Sequence, residues 1–156
     1  MTFNTNLKNI FLVVFTTLIL SACSTAKKSG DMDGDVYTGK ETVKYLASGV
    51  PDRVFFATNS SQLTTASRDT LRKQATWLRK NSSINVVLEG HADERGTREY
   101  NLALGENRAL SVKEVLGLYN LEDRVVVVSY GEEQPVEIEH NEEAWEKNRR
   151  VEFVYY

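Results

Sequence analysis

The chain is poor in cysteine, proline, histidine and positive charge. Its 156 residues hold one cysteine, two prolines and two histidines. A lone thiol, Cys23, excludes an internal disulfide and a cysteine-rich metal centre. His91 and His140 are all that remain for other metal chemistry. Lysine and arginine total 19 against 22 acids, a formal net charge of -3, which is no footprint for nucleic acid. The apolar run from Ile10 to Leu20 falls well short of the roughly 20 residues a spanning helix needs. No internal repeat is visible. What is present is a chain 41% hydrophobic and 26% charged, suited to a soluble core and long enough for one ordinary domain plus tails.

Residues 1–22 read as a secretory signal. Lys8 supplies a thin positive start, the apolar run follows, and Leu20-Ser21-Ala22-Cys23 ends it with small residues before a cysteine. The other reading is a buried apolar helix with an incidental thiol. The ending resembles the bacterial lipobox. That resemblance implies cleavage before Cys23, acylation of Cys23 and a lipid anchor, with several acyl chains at about 0.8 kcal/mol per buried methylene. Ser24 in place of aspartate resembles outer-membrane sorting signals. Residues 23–40 follow as the lipidated cysteine and a polar tether rich in Ser, Thr, Lys, Gly and Asp. Fully extended, that tether reaches roughly 55–60 Å, enough to hold a domain off a membrane surface.

Residues 41–156 are the expected globular domain. Thr42 to Ala47 suggests a short helical turn, and Val54-Phe55-Phe56 a strand. Thr64 or Thr65 caps a helix to about Lys80, with Leu71, Ala75 and Leu78 on one face. Ile84, Val86 and Leu88 alternate with Asn85, Val87 and Glu89, the pattern of a strand. A helix from about 98 to 119 follows, with Thr97 as N-cap and Glu99 in its first turn, where the helix dipole favours an acid. Val125 to Val128 is a continuous apolar run, expected to be a strand covered on both faces. Residues 131–147 are acidic and turn-rich, with a helical turn around Glu142–Lys147. Arg150 to Tyr155 closes the chain as a strand, with Val151, Phe153 and Tyr155 on one face. The order predicts an α+β fold, a two-layer sandwich with helices packed on one face of a mixed sheet.

The segment that follows the strand at 84–89 and runs through a loop into the next helix, Gly90 to Ala109, carries the chemistry. Two stripes run along the helix: Asn101, Leu104, Arg108, Val112, Val115 and Tyr119, and beside them Leu102, Gly105, Ala109, Val112 and Leu116. Arg108 therefore falls in or beside the apolar face, where an unpaired guanidinium is costly. Asp93 and Glu94 are the nearest unusual acids. A carboxylate facing an arginine offers opposite charges side by side, a receptor for a zwitterion. Other readings stand beside it. Asp93 and Arg108 can form a structural ion pair that fixes the loop. His91, Asp93 and Glu94 can be read as metal ligands, although adjacent residues rarely converge on one ion. A hydrolase needs a nucleophile with a base and an orienting group, and no serine here sits in a strained elbow pattern.

The stretch Gly90-His91-Ala92-Asp93-Glu94-Arg95-Gly96-Thr97-Arg98-Glu99-Tyr100-Asn101, continued by Ala103-Leu104-Gly105-Glu106 and Arg108-Ala109, resembles the signature of the OmpA-like peptidoglycan-binding domain. More narrowly it is similar to the lipoproteins of the Tol–Pal system. The likeness continues in Asp52-Arg53-Val54-Phe55-Phe56, Val128-Ser129-Tyr130-Gly131-Glu132 and Asn148-Arg149-Arg150-Val151, and covers about residues 50 to 156. It implies noncovalent binding of the peptidoglycan stem peptide at meso-diaminopimelate. Asp93 matches the aspartate that takes the ammonium, and Arg108 the arginine that takes the carboxylate with its planar fork. Arg95 matches a second contact to peptide carboxylates. Thr97, Tyr100, Asn101 and Leu104 fall on positions that shape the pocket, with Phe56 beside them. His91 is expected to be a loop hydrogen-bonder, and Arg149 and Arg150 mainly structural.

Two departures stand out. Asn107 replaces a second arginine of the family pattern, on what spacing from Asp93 makes the outward side. Phe56-Ala57-Thr58-Asn59 replaces a stretch where the family often carries carboxylates. The resemblance implies an outer-membrane lipoprotein, lipid-anchored at Cys23, whose periplasmic domain ties membrane to peptidoglycan for envelope integrity and cell division. It implies no enzyme activity, no cofactor and no metal. The alternative is an interaction subunit that mainly docks the periplasmic β-propeller protein of a Tol system.

Overall fold

The computed structural model describes residues 45–156. The expected signal, Cys23, the tether and residues 41–44 lie outside the described residues. In chain order come β1 (Tyr45–Ala47), β2 (Val50–Pro51), β3 (Arg53–Phe55), α1 (Thr65–Lys80), β4 (Val86–His91) and α2 (Arg98–Gly117). A 3-10 turn (Glu122–Arg124), β5 (Val125–Gly131), α3 (Glu142–Asn148) and β6 (Arg150–Tyr155) complete it.

The main sheet has the order β3-β6-β4-β5. β4 and β5 run parallel, while β6 is antiparallel to both β4 and β3. This is the expected mixed sheet, and the last strand of the chain lies in its interior. Leu71, Ala75 and Leu78 of α1 and Ala109, Val112 and Leu116 of α2 pack on Val54, Val86, Leu88, Val151 and Phe153. Because side chains alternate across a strand, Arg150 and Glu152 of β6 point to the opposite face from Val151 and Phe153. There Glu152 pairs with Arg150 and lies 3.5 Å from Arg53, which also holds Asp52.

Both long helices start on threonine caps, because the hydroxyl oxygen satisfies a backbone N–H that has no partner within the first turn. Thr64 accepts from Ser67 N–H and Thr97 from Tyr100 N–H. Along α2 the buried set is Asn101, Gly105, Arg108, Ala109, Val112, Val115 and Leu116. The two stripes read from the sequence merge into one, and Leu102 and Leu104 remain half-buried at its margin.

Two expectations are corrected. Tyr45–Ala47 is a strand and not part of a helical turn: it pairs antiparallel with Val50–Pro51, and Gly49, at a φ of +76°, turns the chain between them. The remaining positions of that expected turn, 42–44, lie outside the described residues. The valine run of β5 is covered on one face only. Val125 is buried, but Val126 is 49% exposed, because β5 is an edge strand of a sheet whose helices share one side.

α2 lies unusually close to the sheet. A Cβ built on Gly105 would sit 2.4 Å from Ser129 Oγ and 2.7 Å from the Gly90 carbonyl oxygen, and one on Gly90 would sit 2.0 Å from the Gly105 carbonyl oxygen. These glycines let the helix backbone touch the strands and so sink Arg108, one turn further on, to the level of the loop after β4. Gly105→Ala sets two effects against each other. Helix propensity alone favours alanine by about 1 kcal/mol, whereas forced overpacking costs about 1–3 kcal/mol or more. Because backbone must give way, packing wins. The variant is expected to melt several degrees lower in a thermal scan, and an unchanged or raised melting temperature would count against this contact.

Candidate functional site

The loop from Ala92 to Thr97 leaves the C-terminal end of β4 and leads into α2. Ala92 N–H donates to the Gly131 carbonyl (2.8 Å), which holds the loop's start against the end of β5. Gly96, at a φ of +121°, makes the turn into α2, a conformation that a side chain would strain. Within this turn the Asp93 carboxylate is almost fully enclosed. Its Oδ1 accepts from Arg95 N–H (3.1 Å) and Arg95 Nε (3.1 Å). Its Oδ2 accepts from Arg95 Nη2 (2.7 Å) and Arg149 Nη1 (3.2 Å). Burial pushes the Asp93 carboxyl upward, but the hydrogen bonds from Arg95 and Arg149 outweigh it and hold the group below its ordinary range.

Arg108 is completely buried and has a different kind of company. Nε donates to the Ser60 carbonyl (2.9 Å), Nη1 to the His91 carbonyl (2.7 Å) and Nη2 to the Ala57 carbonyl (3.1 Å). The Phe56 ring lies beneath it, 5.4 Å from the guanidinium carbon to the ring centre. No carboxylate among the described residues is within ion-pair distance. Burial lowers its pKa to about 10; the field of Asp93 opposes that fall, and the charge of Arg149 adds to it. The structural ion pair between Asp93 and Arg108, one of the readings weighed from the sequence, is therefore not formed. The two groups are electrostatic neighbours, each oriented by other partners. Arg108 has five N–H groups, three of them spent on carbonyls, and among the described residues only the more distant Asp93 carboxylate offsets its charge.

The other expected residues lie on the same turn and along α2. Thr97 caps α2, Asn101 is buried and donates through Nδ2 to Glu132, and Leu104 is half-buried on the same helix. Tyr100 hydroxyl reaches Asn59 on the loop after β3, and Arg98 pairs with Glu133. Arg95 lies over the Trp145 ring at 4.2 Å. Glu94 pairs with His140 (2.6 Å) and accepts from Trp145 Nε1 (2.8 Å). The start of α2 is thus laced to the loop after β3 on one side and to the acidic segment before β6 on the other. Beside it opens a hollow of about 360 Å³ lined by Glu94, Glu132, Glu133, Glu137, Glu139 and His140 among others.

The sequence marks Arg149 as mainly structural and gives no direct pointer to Glu142 or Trp145. In the structure Arg149 ties the end of β3 to Asp93 and to α3. It holds the Phe56 carbonyl through Nε (3.1 Å) while its Nη1 reaches Asp93, and Glu142 accepts from its Nη2 (2.8 Å). One of only two tryptophans, set in a run of glutamates, was the available signal for Trp145. His91 is not a loop hydrogen-bonder. It is buried, its two ring nitrogens have no hydrogen-bond partner, and it stacks on Tyr130 at 5.6 Å. Burial, with the charges of Arg150 and Arg53, takes its pKa down to about 2, so the ring is neutral. No group of three His, Asp or Glu side chains among the described residues is arranged to hold a metal ion.

Residues 55–149 match the OmpA family. The peptidoglycan-associated lipoprotein of Brucella melitensis biotype 1 is 37% identical over 148 residues, spanning 91% of this chain and 88% of that protein. That of Legionella pneumophila is 35% identical over 162 residues, with 92% of each chain covered. Among solved structures, the peptidoglycan-associated lipoprotein from Burkholderia pseudomallei superimposes with a TM-score of 0.65 at 36% identity, covering 67% of this chain and 90% of that one. The C-terminal domain of Helicobacter pylori MotB shares the fold at a TM-score of 0.63 and 23% identity. The matched region runs from β3 through Arg149 and contains every residue of the loop and helix described above, so on fold, motif and sequence identity alike the chain belongs to the OmpA family.

Proposed function

We propose that this domain is a noncovalent receptor for the peptidoglycan stem peptide, gripping the zwitterionic centre of meso-diaminopimelate. The ligand's ammonium goes to Asp93 and its carboxylate to Arg108. The observation that carries this reading is the buried Arg108 guanidinium, anchored by three carbonyls and, among the described residues, without a carboxylate at ion-pair distance. A charge so placed is costly unless something anionic comes to it. The similar proteins named as peptidoglycan-associated lipoproteins support the same reading. With it we propose the rest of the assembly: an acyl anchor at Cys23 in the outer membrane, a tether over residues 24–40, and a periplasmic β-propeller of a Tol system as protein partner. The chain then staples the outer membrane to the wall and works by binding, without catalysis.

The discriminating experiment compares stem peptides with meso-diaminopimelate and with lysine, titrated calorimetrically into the domain at physiological salt. Lysine keeps an ammonium but has no carboxylate at that centre, so Arg108 stays unpaired. A site built for a polar group rejects the analogue that lacks it, by up to about 10⁴-fold. Seven glutamates between residues 132 and 146 make general attraction to an anionic polymer weak, which isolates the specific term. The diaminopimelate peptide is expected to bind far more tightly. Equal affinities would reject the zwitterion receptor and favour protein docking as the role of this surface.

A further inference from the structure

We propose that Arg95 is the specificity filter of this site: in the empty protein it occupies the ammonium position on Asp93, and it yields that position only to a ligand that offers it a carboxylate in exchange. This rests on the reading of Asp93 and Arg108 given above and adds a selection step to it.

An ionised carboxylate has about four acceptor positions. On Asp93 all four are filled, by Arg95 N–H, Arg95 Nε, Arg95 Nη2 and Arg149 Nη1. An incoming ammonium must therefore displace a donor already in place. The Arg95 amide belongs to the turn and cannot leave. Arg149 is locked as well, with its side chain only 5% exposed and its other nitrogens on the Phe56 carbonyl and Glu142. The Arg95 side chain is the movable one. It is 38% exposed, its guanidinium carbon lies 4.2 Å from the centre of the Trp145 ring, and two further acceptors are within 3.4 Å, Glu142 Oε2 and Thr58 Oγ1.

Displacing it exchanges one cation on Asp93 for another. An ammonium alone gains about what it removes, and it leaves a guanidinium stripped of two charge-assisted hydrogen bonds, which are about twice as strong as neutral ones. A carboxylate on the same carbon repairs that loss by meeting the released Arg95 fork as well as Arg108. Arg108 by itself rewards the carboxylate; Arg95 in addition penalises its absence. Specificity built on a repulsive element as well as an attractive one is the general expectation where two similar ligands must be told apart.

The test titrates meso-diaminopimelate and lysine stem peptides into the wild type and Arg95→Met, following amide chemical shifts so that weak binding is measurable. Methionine retains an apolar body over Trp145 and leaves Asp93 held by Arg149 and the amide of residue 95. The lysine peptide is expected to bind Arg95→Met at least about tenfold more tightly than it binds the wild type, and the ratio of the two affinities to narrow by a similar factor. Unchanged or weaker lysine-peptide binding overturns the filter. So does equal tightening of both peptides, which makes Arg95 a latch without exchange. If Arg95→Met fails to fold, Arg95→Lys carries the same test, since a point charge cannot make the forked contact, and a ratio equal to wild type overturns the proposal there too. A wild type that binds both peptides equally, or neither, refutes the zwitterion reading itself. A wild type that discriminates while the variant discriminates equally refutes only the filter.

Discussion

Arg108→Lys is expected to fold and yet lose most of its binding to isolated sacculi. Lysine keeps the charge but replaces a planar fork with a single ammonium, which cannot hold the carbonyls of Ala57, Ser60 and His91 and still present parallel donors to a carboxylate. Truncating one partner of a desolvated charge pair costs about 2–5 kcal/mol. That corresponds to a weakening of about 30-fold to several thousand-fold. Arg108→Ala loses at least as much binding and, in addition, leaves the buried His91 carbonyl without this donor, at about 1–3 kcal/mol, while the part-buried carbonyls of Ala57 and Ser60 turn to water. A sedimentation assay with purified sacculi reads the binding, and a urea melt separates the two variants. Wild-type sedimentation by Arg108→Lys would remove this side chain from the ligand site.

The second large effect is a pH dependence of stability that belongs to His91. Its pKa is about 2 in the folded chain, against about 6.5 in an unfolded one. Between those values the unfolded state binds one proton more than the folded state, so stability rises with pH through the window and falls on acidification. The slope is about 1.4 kcal/mol per pH unit, or about 2 kcal/mol lost between neutral pH and pH 5. Asp93 acts in the same sense but lower: its depressed carboxyl contributes stability above the ordinary carboxylate range that is lost as pH falls through its folded value. Glu89 acts in the opposite sense. Burial and the nearby Glu152 raise it, so its protonated form is favoured in the folded chain and its titration works against that loss. His91→Phe keeps a ring against Tyr130 and removes the titration. Urea melts at pH 7 and pH 5 are expected to show a smaller loss in the variant than in the wild type. Equal losses in the two proteins would assign the acid sensitivity elsewhere.

Much of this architecture was legible in the sequence because its causes are local. The alternation at 84–89, the threonine caps and the spacing of Leu71, Ala75 and Leu78 fixed β4, α1 and α2 to within two residues or so. The burial of Arg108 was legible from its place on the helical stripe. Its partners were not, because backbone carbonyls at 57, 60 and 91 carry no sequence signature and become acceptors only when three separate segments meet. The contacts of Arg149 with Asp93 and Glu142 were not legible for a related reason. Charges in a charged segment look solvated, and only the return of β6 into the interior of the sheet brings Arg149 under Asp93. The valines of β5 misled because composition marks a strand but does not count the layers that cover it.

The position of β3 has a mechanical meaning. It is the edge strand through which the chain enters the main sheet, pairing antiparallel with β6 at Arg53–Glu152, Val54–Val151 and Phe55–Arg150. Just past its end, Arg149 grips the Phe56 carbonyl and Arg108 the Ala57 carbonyl. A tension applied at the Tyr45 end against something held at Arg108 therefore runs lengthwise along β3 by a short route through a few residues. Its hydrogen bonds to β6, together with those from Phe56 N–H to Arg149 and from Phe153 N–H to Asp52, are then strained in shear and resist as a group. Pulled across the strand, the same bonds would open one at a time like a zipper. Survival under sustained force is set by the rate of unfolding, and a loading direction that demands simultaneous rupture keeps that rate low without any added contact.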